Sequence, residues 1–440
     1  MGRFIISLIF AKISAFALKV TKLSGGTAII GKYVLAICPD FLKYANKYIQ
    51  TKINVTGTNG KTTTSGLISH LLKDSKNSII NNAMGANMLN GVVNAISTSL
   101  NPLKEYQYSV IESDEAFLEI IYKNFEADYL LVTNLFRDQL DRYGELATTK
   151  KFIQNGIDIG KNSSGRQPVL ILNADDPLVA SFTGEQKIYY GVETAEYKDG
   201  LEQTEYSTEE AFTCPCGQPL KYKKKFYAQQ GHYYCDCGYH RPEPKYKANV
   251  TLYKNHSVLE IDGEEFEIPL VGLFNAYNAL GAISLAKELG INNIKENLKT
   301  FKVAFGRSEF KSLMGKKTLI QLIKNPIGAS EVLKTVDKNS NLLIIINDNY
   351  ADGRDVSWLW DTEFEWLNGV KKEIVVSGIR AKDMALRLKY AGIDEKNIKI
   401  INDINNAVNY VGKNSQDNIT ILPTYTALLK LNKIKTLKKI

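Results

Sequence analysis

Thr56-Gly57-Thr58-Asn59-Gly60-Lys61-Thr62 follows the short apolar run Ile53–Val55 and precedes a helix-forming stretch, Thr63–Leu72. A strand, a glycine-bearing turn and a helix in that order form a phosphate-binding loop. Gly57 and Gly60 let the backbone curl until several N–H groups point inward. The helix that follows turns its positive dipole end to the same point. Lys61 is placed to reach the β- and γ-phosphates of ATP, and the Thr62 hydroxyl to hold Mg²⁺. Gly57, Thr58, Asn59, Gly60, Lys61, Thr62 and Thr63 are therefore the expected nucleotide-binding residues. A chance G-K-T in a surface turn would have neither the strand nor the helix around it.

Outward from the loop the same order recurs. Tyr108–Ile111 ends at Glu112-Ser113-Asp114-Glu115, Tyr129–Val132 at Thr133-Asn134, and Val169–Leu172 at Asn173-Ala174-Asp175-Asp176. Strands alternating with helices imply an α/β fold with a central parallel sheet, whose ligands sit at the carboxyl ends of the strands. The four motifs are thus expected to share one site. A carboxylate there, Glu112, suits Mg²⁺, which takes hard oxygen ligands beside nucleotide phosphates. A plain acidic turn is the alternative. Strand-like pattern returns at Asn249–Leu252 and Phe266–Leu270, and Asn275–Leu289 is helical. A second, Rossmann-like α/β unit starts near residue 310, with strands at Leu342–Ile346, Ile374–Val376 and Ile419–Leu422 and a helix from Ala381 to Tyr390. Its run from Asn347 to Trp358 holds three carboxylates; a capped helix start with solvated acids would account for them equally well.

The chain has 440 residues, 44% hydrophobic and 23% charged, ordinary values for a soluble globular protein of two or three domains. Its net charge is +8. Residues 1–50 carry seven basic side chains against the single acid Asp40, and Lys430–Ile440 carries five lysines and no acid. Either end could meet an anionic surface or simply be solvated. Residues 1–20 combine Arg3 with the apolar run Phe4–Phe10, but Lys12 and Lys19 interrupt it, so an amphipathic first helix is expected rather than a membrane span.

Residues 208–246 break the α/β pattern. They hold Cys214-Pro215-Cys216-Gly217 and Cys235-Asp236-Cys237-Gly238. Two cysteine pairs, each followed by glycine, read as the knuckles of a zinc ribbon, and four thiolates make a closed, structural site. The C-x-C spacing is tighter than the usual C-x-x-C. Unliganded core cysteines are the alternative, and Cys38 is expected to be one.

The spacing G-x-x-G-K-T, shorter than that of the common P-loop and preceded by Thr56, resembles the Mur ligase superfamily. Its members phosphorylate a carboxylate with ATP and let an amine attack the acyl phosphate. On that resemblance Glu112 matches the family's Mg²⁺-binding glutamate. Asn134 and Arg137–Gly144 match its T-N-x-x-x-D-H-x-D stretch, with Gln139, an amide, where a metal-binding histidine is usual. Asn275 and Asn278 match the asparagines that hold adenine, and Arg307 the hinge arginine that braces the γ-phosphate. Lys150 or Lys151 could be the carbamylated lysine of many members.

Three departures narrow the resemblance. The loop begins at Thr56, leaving too little chain ahead of it for the domain that binds a UDP-sugar. Where amino-acid-adding members read D-x-A-H-N-P, this chain reads Gln321-Leu322-Ile323-Lys324-Asn325-Pro326. The central domain carries the four-cysteine insert. Together with Ala351-Asp352-Gly353-Arg354-Asp355-Val356-Ser357-Trp358, these features resemble the MurT-type family of amidating ligase subunits.

The resemblance implies ATP, Mg²⁺ and structural Zn²⁺ as cofactors, Lys61 and Glu112 as catalytic residues, and lipid II at the inner face of the membrane as substrate. It further implies a cytoplasmic heterodimer with a GatD-type class I glutaminase that supplies ammonia. Asp355 could orient that partner's catalytic histidine. The expected organisation is a lead-in at 1–48, a nucleotide domain at 49–306 and a partner-binding domain at 307–440. Two rivals stand beside it. One is an amino-acid-adding ligase of the folylpolyglutamate type. The other is a zinc-ribbon ATPase that binds nucleic acid through Lys221–Lys225, against which no helicase-type motif is present.

Overall fold

Leu130–Val132 and Leu170–Leu172 are apolar runs with no polar face, which is how strands buried on both sides read, and all six residues are buried. A computed structural model of the chain describes residues 1–21, 28–73, 78–82, 86–136, 146–199, 213–302 and 307–439. These residues form two compact units, with the bulk of the chain up to Lys302 in the first and the chain from Arg307 onward in the second.

The first unit contains β1 (Ile49–Thr56), β2 (Ile79–Asn81), β3 (Tyr106–Glu112), β4 (Tyr129–Val132), β5 (Val169–Asn173) and β6 (Lys187–Tyr197). Further on come the hairpin β7 (Lys221–Tyr227) and β8 (Gln230–Tyr234), then β9 (Tyr246–Leu252), β10 (Ser257–Ile261) and β11 (Glu264–Ile268). The main sheet runs β11-β10-β9-β6-β5-β4-β1-β3-β2. It is parallel from β2 to β9 and antiparallel at β10 and β11. Pairing of Val55 with Glu112 on one side and Leu131 on the other brings three strand ends level, and the loop after β1 lies among them.

Among the described residues three α-helices precede the sheet, α1 (Gly2–Thr21), α2 (Ile29–Ile37) and the short α3 (Phe41–Ala45). They share one core with it. Phe4, Leu8 and Ala11 of α1 and Ile30 and Val34 of α2 cluster with Ile49, Ile80, Val92 and Leu130. Cys38 lies buried in the same core. Among the described residues no helix is long and apolar enough to cross a membrane.

The second unit has a seven-stranded sheet of its own. Its strands are β12 (Arg307–Leu313), β13 (Lys316–Gln321), β14 (Asn341–Ile345), β15 (Ile374–Ser377), β16 (Ile398–Ile400), β17 (Ile419–Pro423) and β18 (Leu437–Lys439), in the order β16-β15-β14-β17-β13-β12-β18. Leu342 and Ile344 enter one apolar cluster, Leu343 and Ile345 another, so both faces of the sheet are covered.

Candidate functional site

The loop after β1 is built as a backbone cradle. Gly57 and Gly60 take φ of +118° and +85°, values that side-chain-bearing residues rarely adopt. A Cβ on Gly57 would come within 2.4 Å of Thr133 Oγ1, and one on Gly60 within 2.0 Å of Asn278 Oδ1. Thr133 and Asn134 pin the loop. Asn134 Oδ1 accepts from Asn59 N at 2.8 Å, its Nδ2 donates to Asn59 O at 3.0 Å, and Thr133 Oγ1 donates to the same carbonyl at 2.7 Å. Such a cradle, opening onto the helix Lys61–Leu71, fits the phosphates of a nucleotide. That helix is buried on most sides rather than amphipathic, because Thr62 to Ser65, Leu67, Ile68 and Leu71 all face protein.

Two carboxylates meet the start of the helix. Glu112 Oε2 accepts from the Thr62 hydroxyl at 2.7 Å, and Oε1 from Asn87 Nδ2 at 3.1 Å. Asn82 brackets the Glu112 backbone, accepting from its N–H and donating to its carbonyl, both at 2.8 Å. Hydroxyl and carboxylate oxygens side by side at a phosphate cradle are the donor set a hard divalent cation takes. Lys61 Nζ is buried; it lies 2.5 Å from the Gly57 carbonyl and 3.0 Å from Glu115 Oε1. Glu115, Asn82 and Asn87 were not singled out in the sequence. Glu115 could have been, since it closes the same acidic run as Glu112.

Asn275 and Asn278 sit on the helix Leu273–Glu288. Asn278 donates to Asn275 Oδ1 at 3.3 Å and abuts the loop at Gly60. Lys61, Thr62, Glu112, Asn275 and Asn278 are thus brought together. Gln139 lies outside the described residues. Arg307 opens β12 and Asp355 follows β14, both in the second unit. Asp355 accepts from the Ser357 N–H at 2.8 Å and hydroxyl at 2.9 Å. Of the two lysines considered for carbamylation, Lys151 is exposed and Lys150 half-buried. Burial holds the Lys150 amine below its ordinary pKa.

The sulfurs of Cys214, Cys216, Cys235 and Cys237 all lie within 4.8 Å of one another, a set that fits one tetrahedral zinc. The Tyr239 N–H, and then the neighbouring thiol of Cys214, bring Cys237 down to about 7. The insert is not a free-standing ribbon. Its hairpin buries Phe226, Tyr227 and Tyr233, and Gln229 at its tip donates to the Leu135 carbonyl at 2.8 Å. Beyond the second knuckle, Arg241 Nε donates to Asp175 Oδ1 at 2.5 Å. The other oxygen of Asp175 accepts from Tyr277 Oη at 2.6 Å and Val192 N at 2.8 Å. Burial pushes the Asp175 carboxyl up, and the Arg241 guanidinium opposes it. Tyr277 lies on the helix of Asn275 and Asn278, so the four-cysteine site is tied to the nucleotide site through one buried ion pair.

Residues 55–286 match the Mur ligase middle domain, and residues 322–428 match the MurT ligase C-terminal family. The chain is 33% identical to a protein of Streptococcus pneumoniae over 99% of its own length and 97% of that protein's. It is 36% identical to one of Staphylococcus aureus over 84% of each. Both are named "Lipid II isoglutaminyl synthase (glutamine-hydrolyzing) subunit MurT". In fold it is similar to a pseudomurein peptide ligase type C from Methanothermus fervidus, with a TM-score of 0.65 and 24% identity over 91% of this chain and 82% of that one. It is also similar to MurF from Acinetobacter baumannii, at 0.63 and 15% over 91% and 79%. A nucleotide cradle, a four-cysteine insert and these two matched families agree: the chain belongs to the Mur ligases, in the family of MurT subunits.

Proposed function

We propose that this chain amidates the α-carboxylate of D-glutamate in the stem peptide of lipid II, forming D-isoglutamine, with ADP and phosphate released. The observation that carries the reading is that loop, insert and C-terminal unit occur together in a chain that aligns almost end to end with subunits of that name. ATP transfers its γ-phosphoryl group to a carboxylate oxygen. Ammonia then attacks the acyl carbon and phosphate leaves with that oxygen. The cradle from Gly57 to Thr63 holds the phosphates, and Lys61 balances the charge that develops on the phosphoryl oxygens. Mg²⁺, when bound, draws on the Thr62 hydroxyl and the Glu112 carboxylate and neutralises phosphate charge. Gln139 as a further Mg²⁺ ligand, Asn275 and Asn278 at the adenine and Arg307 at the γ-phosphate complete the set. Zn²⁺ at the four cysteines has a structural role.

The nitrogen donor is ammonia from a GatD-type class I glutaminase, bound through the unit from Arg307 onward, with the nucleotide domain ahead of it. Asn325 and Pro326, a pair that amino-acid-adding members share, serve as a helix start, so what supports ammonia over an amino acid is the four residues before them. Asn325 Oδ1 caps the Gly328 N–H at 2.9 Å, and Pro326 takes the first turn. The segment from Gln321 to Pro326 has no acid to receive an incoming ammonium group. The enzyme then works at the inner face of the membrane.

One assay tests both the reaction and the partner. The assembled complex is given lipid II, ATP and either glutamine, ammonium or free amino acids. Glutamine and ammonium are expected to give the amide, and amino acids no adduct. Asp355→Asn is expected to lower the glutamine-dependent rate by about 10²-fold or more, as when the acid that orients a catalytic histidine is lost, and to spare the ammonium-dependent rate. An amino-acid adduct would sink the amidation reading. An unchanged glutamine rate would remove Asp355 from the triad.

A further inference from the structure

We propose that α1 is a membrane-interfacial helix that seats the chain on the surface of an anionic bilayer. Ile6, Ile9, Ile13, Phe16 and Val20 are 54% to 70% exposed. Their spacing of three and four residues puts them on one face. The face is opposite in kind to a solvated one, because Phe4, Leu8 and Ala11 already meet the need of α1 for a buried side. A helix that anchors with one apolar face and leaves a second one bare has an apolar surface waiting for a partner.

The borders of that face commit it to lipid. Lys12 and Lys19 come three residues after Ile9 and Phe16, so they line one edge; Arg3, three residues before Ile6, lines the other. All three are exposed. Long basic side chains at the edge of an apolar stripe lay their methylenes along the acyl boundary and lift their charge to the headgroups. The stripe continues onto α2, where Ile29 and Tyr33 are exposed, Lys32 lies between them, and Tyr33 meets Phe10 of α1 edge-on at 6.0 Å. A tyrosine at such a margin suits the headgroup level. The only acid in the first 50 residues is Asp40, so this segment itself brings little negative charge to an anionic surface. α1 lies in the interface and does not span it.

The purpose of this face rests on the reading that the substrate is a membrane lipid. Its existence does not, and vesicles without lipid II let the two fail separately. The full chain is mixed with vesicles of phosphatidylglycerol and phosphatidylethanolamine, or of phosphatidylcholine alone, and floated on a density gradient. Binding to the anionic vesicles is expected, falling with salt and weaker on phosphatidylcholine. Ile13→Asp with Phe16→Asp is expected to lower the partition coefficient by about tenfold or more, with nucleotide binding unchanged. Lys12→Gln with Lys19→Gln is expected to weaken the salt dependence, with Arg3 and Lys32 left to carry the remainder. Should the aspartate pair fail to fold, Phe16→Trp decides. All native tryptophans lie between residues 358 and 366, so emission that moves to the blue on adding anionic vesicles comes from the new one. Vesicle binding that survives the aspartate pair, Phe16→Trp emission that stays put, or a dimer in light scattering that the aspartate pair dissociates without any vesicle binding would each overturn the proposal.

Discussion

Lys61→Ala is expected to lower ATP-dependent amidation by about 10²–10³-fold or more, with ammonium as well as with glutamine. The magnitude follows from position. Lys61 Nζ is buried among the Gly57 carbonyl, the Thr58 carbonyl and Glu115, at the mouth of a backbone cradle. A cation there strengthens as negative charge builds on the transferred phosphoryl group, and little water screens it. The substitution also takes the cation from beside the buried Glu115 carboxylate. Loss of one partner of a buried pair costs about 3–5 kcal/mol of stability. Glu115→Gln in the Lys61→Ala background removes that penalty. Single-turnover rates and thermal melts of both variants therefore separate catalysis from folding. Stability is expected to recover in the double variant and the rate is not. A rate that returns with stability would make Lys61 a structural residue only.

Stripping the metal from the four-cysteine site is expected to weaken nucleotide binding although no cysteine touches the nucleotide. A zinc ion held by the four cysteines would close the two knuckles that hold the hairpin β7–β8. From the hairpin, Gln229 reaches Leu135, next to the Thr133-Asn134 pair that pins the loop. From the second knuckle, Arg241 reaches Asp175 and through it Tyr277. Chelation in mild denaturant, or Cys214→Ser, is expected to cost about 3 kcal/mol or more and to lower the melting temperature by roughly 6–12 °C. The Kd for ATP is expected to rise at least about tenfold, by analogy with the effect of losing an outer-shell partner. Arg241→Leu should reproduce the loss of ATP affinity while the metal stays bound, because it leaves the Asp175 carboxylate buried without its cation. Metal content by elemental analysis and titration calorimetry with ATP check both. An Arg241→Leu chain that binds ATP normally would break the proposed link.

How much of this was readable beforehand depends on where the information lies along the chain. The loop, Glu112 and the cysteine pairs are local: a few adjacent residues carry the backbone conformation or the ligand spacing. Ala381–Tyr390 is a helix over the residues expected, and β14, β15 and β17 lie within about one residue of the expected strands. What was hidden is long-range. Nothing in the spacing of Arg241 and Asp175 tells that they pair, since they are joined only by the folding of the insert back onto the sheet. Asn82 and Asn87 reach Glu112 across strands, and their short polar segments look like ordinary turns. Of the antiparallel edge, only β11 overlaps an expected strand, Phe266–Leu270; β10 has no counterpart among the expected strands, and nothing local marks either as an extension of the main sheet. The first helix is expected to be amphipathic, which leaves open which side faces outward. Its outer face is apolar with basic borders, and only the packing of Phe4, Leu8 and Ala11 shows which side is inside.

The most direct measurement follows oxygen. Lipid II carrying ¹⁸O in the α-carboxylate of its D-glutamate is incubated with the complex, ATP and ammonium, and the released phosphate is analysed by mass spectrometry. Amidation through an acyl phosphate transfers one labelled oxygen to each phosphate as each D-isoglutamine forms. Labelled phosphate in step with amide is the expected result. Unlabelled phosphate, or ATP hydrolysis without amide, would contradict the assignment of this chain as the amidating ligase.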